Sequence, residues 1–558
     1  MDMFQKLEKV LRKILITKKN NILLIQFFLL LSTVCAQVDQ RFELFDWEIF
    51  GKNGSINSMS EGYQYIYFAT SNNGILRYNK FSRSFDKNLY LGQGIKSKKL
   101  NQIYFDKNTG ILWLVGDRGL EFSNSREGNW NQINFNRFGI KSLRNVEDLG
   151  SSNSFLWIKT SSNYVKLDHV SGTFLGTFAY PDENDIDWGD YNFKNNRTLR
   201  KFEFNDYFIQ DGWLLGYKDA ADKNGIFYEY ISYLETENGV SWIGLSNGQL
   251  LLIDDFSKSV YPISTSIGTV YPMTITIDDL IWIGGIRNLL SDYSSISAIT
   301  KNFKEIKNYK DSNYSNFSKA DFFSSKFIDN EIWFGSKGSV TIYNIGSDFF
   351  RTLGYEKGIP IQKVEHIEFL GDKVYIASRN ELIVLDKKTK KIIDSKLSDL
   401  INKNNTFIND MKIIGEKIYI ILNNRIYVFD KDEKINAERF KSINSSSNFE
   451  GIFGFEDLIF FASEKGIFNS IEAHIISSSQ YFNYKLNDIV LIDDILFIGT
   501  MGGLAVYDFV NKELINFYDF SFIKNIFDME QVDEFLVLLS NAGLIKLRLI
   551  QWKKISYL

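Results

Sequence analysis

Apolar positions in this chain come in pairs of short runs separated by tight polar turns. In "ILFIGTMGGLAVYD" (495–508) a nearly unbroken apolar run meets the turn "TMGG". The following run alternates and closes on an aspartate. The same phrase recurs as "IYFATSNNGILRYN" (66–79), "ILWLVGDRGLEFS" (111–123), "VSWIGLSNGQLLLID" (240–254) and "LIWIGGIRNLLSDY" (280–293). It returns as "EIWFGSKGSVTIYN" (331–344), "KVYIASRNELIVLD" (373–386) and "KIYIILNNRIYVFD" (417–430). An unbroken apolar run suits a strand covered on both faces, and an alternating one suits a half-covered strand. Each phrase therefore reads as strand, turn, strand. A further apolar strand precedes each one, as in "DIVLIDD" (488–494), and helical periodicity is not sustained after residue 36.

Aligning the bulky residue of each phrase gives twelve anchors: Tyr67, Trp113, Trp157, Trp213, Trp242, Trp282, Trp333, Tyr375, Tyr419, Phe460, Phe497 and Leu536. Their spacing averages about 43 residues, with irregular intervals only on either side of Trp213. Four strands of about six residues and four short connections take roughly 42 residues. That period lies in the range of four-stranded propeller blades. The expected fold is all-β: tandem β-propellers built from about twelve four-stranded blades. Gly244, Gly284, Gly335 and Gly499 follow the anchors, where a missing Cβ lets crowded inner strands approach. Gly74, Gly248, Gly466 and Gly503 stand in the turns, where φ > 0 is needed.

Two propellers are expected, over 37–212 and 213–558, split as six and six or seven and five blades. The aromatic and acidic stretch 178–212 marks a boundary or an insertion, and 37–60, with Trp47, is expected to close the first blade. Tryptophans at the anchor position are expected in the core, whereas Trp47, Trp130, Trp188 and Trp552 lie off the motif and are the better candidates for exposed contacts.

The phrase "lWIG-turn-GL-v-y-D", preceded by a strand and an "NG" turn as in "ISYLETENGVSWIG" (231–244), resembles the propeller repeats of bacterial two-component-regulator sensor regions. The resemblance covers nearly all of residues 45–548. It implies an extracytoplasmic propeller of the kind that usually leads into a membrane span and a histidine kinase, neither of which is expected in this chain. A looser similarity is to the propeller protein of the type IX secretion attachment complex.

Composition narrows the function. Lys and Arg number 64 against 68 Asp and Glu, for a net charge of −4. Without a basic stripe, nucleic acid is not expected as a partner. At the N-terminus, Lys18 and Lys19 precede the apolar run "ILLIQFFLLLSTV" (22–34). That run is short for a bilayer span but suits a signal peptide. Val34 and Ala36 stand at −3 and −1, so residues 1–36 are expected to be removed between Ala36 and Gln37, with retention as an anchor the alternative. The exported protein then lacks Cys35, the single cysteine, and with it disulfides and thiol chemistry.

Little catalytic chemistry is visible. "PDENDIDWGD" (181–190) collects hard oxygen donors, with Asp182, Asp185 and Asp187 a weak calcium candidate beside Glu183 and Asp190. The EF-hand glycine and terminal glutamate are missing, so a solvated loop is the simpler reading. His169, His366 and His474 fall in three different repeats and are expected on the surface or in loops. No sialidase-type Asp-box occurs, and "VLDKKTKKIIDSKL" (384–397) echoes quinoprotein repeats in one blade only. The expectation is an exported, non-enzymatic binding or scaffold module without a cofactor, facing a protein or glycan in the cell envelope. It would be the ligand-sensing part of a signalling or secretion assembly, touching the membrane only through an uncleaved signal. The alternative is a glycosidase or lyase with carboxylates in a propeller funnel.

Overall fold

The structure is a computed structural model. It describes residue 42 and residues 46–549, apart from 126–127, 141–144, 193–203, 224, 237–238, 270, 288–295, 310–316, 318–319, 361, 405, 436–446, 456–457 and 470–475. One compact unit, Glu43–Leu549, holds every described sheet. The signal-peptide reading, with Cys35, Ala36 and Gln37, lies outside the described residues, as do His474 and Trp552.

Among the described residues, eleven sheets follow one another, at 56–89, 100–133, 146–178, 227–263, 271–309, 322–354, 366–386, 408–429, 449–477, 486–518 and 528–548. They are numbered 1 to 11 in that order. Each is built on an antiparallel meander, four-stranded in most cases and three-stranded in sheets 7 and 8; sheets 3 and 4 carry added strands, one of which, Phe208–Ile209, runs parallel to the last strand of sheet 4. Eleven of the twelve anchors sit on the second strand of a sheet, and Trp113, Trp157, Trp242, Trp282 and Trp333 are fully buried there. The twelfth, Trp213, stands just before a two-residue strand in an accessory segment of sheet 4 and packs on Tyr228 at 5.9 Å. One α-helix, Lys396–Asn404, occurs among the described residues. It escapes the periodicity test because only Leu397 and Ile401 bury into the core.

Polar residues on several first strands stitch one sheet to the next and show how the sheets close. In nine sheets this strand carries a one-residue register break near its start. A bulge of this kind bends the strand and turns the next side chain away from the sheet's own ladder. The residues just past the break include Ser58, Ser232, Thr274, Ser324, Asp410 and Asp488, and Asp528 takes the matching place in sheet 11.

These residues hydrogen-bond the next first strand. Ser58 Oγ accepts the Ile103 N–H at 3.2 Å, and Ser324 Oγ donates to the Val364 carbonyl at 3.0 Å. Asp410 accepts the Ile452 N–H and Asp488 the Met529 N–H, each at 2.6 Å. Two of the bonds run backwards. Ser232 of sheet 4 donates to the Ile56 carbonyl of sheet 1 at 2.8 Å, and Asp528 of sheet 11 accepts the Ile275 N–H of sheet 5 at 2.8 Å. Sheets 1 to 4 thus close on themselves, and so do sheets 5 to 11. Apolar clusters follow the same closures, joining Ile56 and Met59 to Trp242, and Val537 and Leu539 to Ile275 and Ile283. At the first closure a Cβ on Gly244 would meet the Ile56 Cβ at 2.6 Å, so glycine is required there.

The strand Trp47–Phe50 corrects one expectation. It pairs with the last strand, Gly543–Arg548, in the register Trp47↔Leu547 to Phe50↔Leu544, and so completes sheet 11, not the first blade. Residues from the two ends of the described chain therefore share one sheet, and sheets 1 to 10, the whole ring of sheets 1 to 4 included, lie in sequence between its two parts. Trp47 is buried, edge-on to Tyr518, Phe520 and Phe522 at 5.6–6.0 Å, and Trp130 is also buried. Lying off the motif did not make either one a surface residue. Trp188 is half-buried against Tyr164.

Candidate functional site

A ring of sheets brings its first strands together at the axis, where open valences and small-ligand sites are expected. The axis of sheets 1 to 4 is already occupied. Residues 187–192, from the stretch expected to be a boundary or insertion, cross it. Asp187–Trp188 pairs with the first strand of sheet 3 through Ser151 and Gly150, and Tyr191–Asn192 pairs with that of sheet 4 through Tyr233 and Ser232. Between them Gly189 donates to the Leu149 carbonyl at 3.2 Å, with the Tyr104 ring of sheet 2 against it. Asp190 reaches sheet 1, accepting from the Ser58 hydroxyl and the Met59 N–H at 2.9 Å each.

Burial, with the charge of nearby Asp148, holds the Asp190 carboxyl well above the usual carboxylate range. Burial likewise pushes Asp148 up to about 7; the Leu149 N–H and Lys159 oppose the shift, while Glu147 and Asp187 add to it. A carboxyl whose folded pKa exceeds its unfolded value favours the fold at low pH, and that contribution is lost as pH rises through the folded value. Asp148→Asn, which mimics the protonated acid, is therefore expected to stabilise the protein at pH 8 and to be neutral near pH 4. After allowance for partial solvent access the gain is on the order of 1–2 kcal/mol. Thermal melts of both proteins across that range check it, and a gain independent of pH would refute the ionisation argument.

The axis of sheets 5 to 11 is different. It holds a cleft of about 450 Å³ lined by Thr274 and Thr276 of sheet 5, Ser324 and Lys326 of sheet 6, and His366 and Glu368 of sheet 7. Lys412 of sheet 8 and Asp528 and Glu530 of sheet 11 complete the wall. Asp410 and Asp488 stand behind this lining, close enough to act on the charge of Lys412. The ordered strands hold these groups because successive inward positions are two residues apart: Ser324 and Lys326, His366 and Glu368, Asp410 and Lys412, Asp528 and Glu530.

Some of the charges are committed. Lys326 Nζ lies 3.0 Å from Glu368, and His366 Nδ1 lies 3.3 Å from Asp410. The oxygens of Asp410, Asp488 and Asp528 accept backbone N–H groups from neighbouring sheets. The Asp488 and Asp528 carboxyls also hydrogen-bond each other. Burial raises both, and each also responds to the ammonium of Lys412, which lowers it. Burial disfavours the Lys412 ammonium, yet Glu368, Asp410, Asp488 and Asp528 outweigh that and hold it above the usual lysine range. Burial, followed by the charge of Asp528, pushes Glu530 up to about 7. Its side chain is nonetheless open to the cleft.

The predicted acidic stretch is dispersed. Asp182 takes Lys166 Nζ at 2.8 and 2.9 Å, and Glu183 accepts the Trp157 indole N–H at 2.9 Å. Asp185 is exposed, and Asp187 leads into the axial crossing. Among the described residues no three His, Cys, Asp or Glu side chains converge closely enough to hold a metal ion. His169 lies in a turn with Nδ1 3.0 Å from buried Asp106. His366 departs from expectation: it opens the first strand of sheet 7 inside the ring, because that strand begins at the axis.

The cleft residues are not marked by any motif, and their one signal in the sequence is a polar period. "SSK" (324–326), "HIE" (366–368), "DMK" (410–412) and "DME" (528–530) place polar groups at a two-residue period in strands otherwise read as apolar.

No family model matches the chain, and no curated protein does. Among solved structures, the chain is similar to the extracellular domain of the putative hybrid two component system BT4673 from B. thetaiotaomicron. That similarity has 12% identity and a TM-score of 0.39, over 88% of this chain and 69% of that one. The corresponding domain of BT3049 from the same organism is similar at 16% identity and a TM-score of 0.39, over 89% and 76%. PorZ, a bacterial surface component of the type-IX secretion system of Porphyromonas gingivalis, is similar at 9% identity and a TM-score of 0.34, over 90% and 87%. Among the described residues no helix is long and apolar enough to cross a membrane.

Proposed function

We propose that this chain is an exported, non-enzymatic propeller module that binds a protein or glycan of the cell envelope, with the axial cleft of sheets 5 to 11 as its seat. The observation that carries this reading is the contrast between the two axes. One is filled by residues 187–192, while the other keeps an open cleft with Glu530 and Lys412 facing it. Closed rings hold such groups rigidly, which favours recognition over induced ordering. Export rests on the apolar run 22–34 and the small residues Val34 and Ala36. A place as the sensing part of a signalling or secretion assembly would suit such a module.

The test compares the full chain with a Lys326→Met/Glu530→Gln variant, each immobilised and exposed to native envelope extract. A component retained by the first and lost by the second is expected. Equal retention by both would remove the cleft from the reading.

A second reading, a carbohydrate-active enzyme, is favoured by one observation: the Glu530 carboxyl, pushed up to about 7 by burial and by Asp528, stands two residues from that second carboxyl on the same strand and in the same cleft. General acids in glycosidases are tuned in this way. Polysaccharide turnover abolished by Glu530→Gln would replace the binding reading with this one.

A further inference from the structure

We propose that the axial cleft recognises a ligand's primary ammonium group, presented as a lysine side chain on a basic peptide segment. This rests on the reading of the cleft as the binding seat and names the chemistry it takes. The argument is one of charge and of which groups are spent. Five carboxyl groups, Glu368, Asp410, Asp488, Asp528 and Glu530, gather around two ammonium groups, Lys326 and Lys412. His366 is shared with Asp410. Even with one proton held between Asp488 and Asp528, negative groups remain in excess.

The placement of partners sharpens this. Lys326 pairs with Glu368, and three of the aspartates turn oxygens toward backbone N–H groups. The charge of Lys412 is balanced by the surrounding carboxyls, without a direct ion pair among the described residues. Among the described residues, Glu530 alone lines the cleft with an open carboxyl and no direct partner. A cleft short of positive charge is relieved by a proton or by a cation. The raised Glu530 carboxyl shows the proton already competing for that role. Thr274 and Thr276 of the adjoining sheet 5 also line the cleft, and their hydroxyl oxygens keep acceptor capacity for an ammonium's donors beside the bonds to Ser325 and the Phe327 N–H. A metal ion is a poorer fit, since no three carboxylate or imidazole groups converge on one point among the described residues. The volume, about 450 Å³, accommodates a lysine side chain with part of its backbone.

Binding should therefore displace a proton and strengthen from pH 6 to pH 8. The groups that face Glu530 and set this dependence are Asp528 on its own strand, Lys412, Lys326 and Glu368 across the cleft, His366 with Asp410, and Asp488 behind. Glu365 at the rim is held 3.4 Å from Lys363.

The experiment titrates the full chain by calorimetry with end-blocked Gly-Lys-Gly. The controls are the same peptide acetylated on the lysine and end-blocked Gly-Glu-Gly. Hydrogen exchange is followed in residues 322–328, 408–414 and 528–532. Saturable binding of Gly-Lys-Gly is expected, with protection of those strands. Lysine acetylation or Glu530→Gln should weaken it about tenfold or more, the scale of one charge-assisted hydrogen bond. Melting of Glu530→Gln that matches the parent at pH 5 and is not lowered at pH 8, where loss of a raised carboxyl can only favour the fold, shows that the lost binding is local. Preference for Gly-Glu-Gly, lost in Lys412→Met, would overturn the ammonium assignment but leave the cleft as the seat. Absence of binding and protection with every peptide would overturn the ammonium assignment. The seat itself then stands or falls on whether the envelope component is lost by the double variant.

Discussion

Lys412→Met is expected to destabilise the ring of sheets 5 to 11 strongly at pH 8 and much less at pH 5. The ammonium is the charge against which Glu368, Asp410, Asp488 and Asp528 are balanced. Removing one partner from such an interior cluster leaves uncompensated carboxylates and costs about 3 kcal/mol or more. For a ring of this size that is a fall of about 6–10 °C in melting temperature.

The sign of the pH dependence follows from the folded pKa values. Asp488, Asp528 and Glu530 are already raised above their unfolded values, so their contribution to stability is greatest at low pH and is lost as pH rises through the folded values. Without Lys412 those values rise further and the loss deepens at neutral and alkaline pH. Thermal melts of both proteins at pH 5 and pH 8 test this. An equal shift at the two values would mean that Lys412 acts through packing and not through charge.

Trp47→Ala is expected to open the clasp that joins the N-terminal strand to sheet 11. Trp47 is fully buried and touches three aromatic rings edge-on, so truncation leaves a large cavity. Losses of about 3–5 kcal/mol accompany such changes. The effect should be regional. With Trp47–Phe50 released, the last strand loses one side of its ladder, and the bond from Asp528 to sheet 5 loses its support. Hydrogen exchange should accelerate in 528–548 and 271–286 while residues 100–133, inside the other ring, stay protected. Uniform acceleration would show that the two rings unfold as one unit, and no acceleration would show that the clasp is dispensable.

Much of the fold was legible because it is local. Buried strands need apolar runs, their turns need positive φ, and the glycines at 74, 248, 466 and 503 adopt it. Gly244 and Gly335 occupy places where a Cβ would collide with a neighbouring first strand. The cleft was less legible. Lys326, Glu368, Lys412 and Glu530 each read as an ordinary polar position, since their shared axis appears only when first strands from different sheets converge. Trp47 and Trp130 were misplaced for a related reason: what covers them comes from Tyr518, Phe520 and Phe522 in one case and from sheets 1 and 2 in the other.

The sequence by itself determined the repeating strand–turn–strand unit, its length near 43 residues, the core position of its tryptophans and the all-β class, because periodicity and turn chemistry act between near neighbours. Tertiary structure alone decided which sheets close on which, that residues 187–192 fill one axis, and that the other remains a charged cleft. Those outcomes depend on single hydrogen bonds such as Ser232 to Ile56 and Asp528 to Ile275, made across 176 and 253 residues, where no local pattern announces the partner.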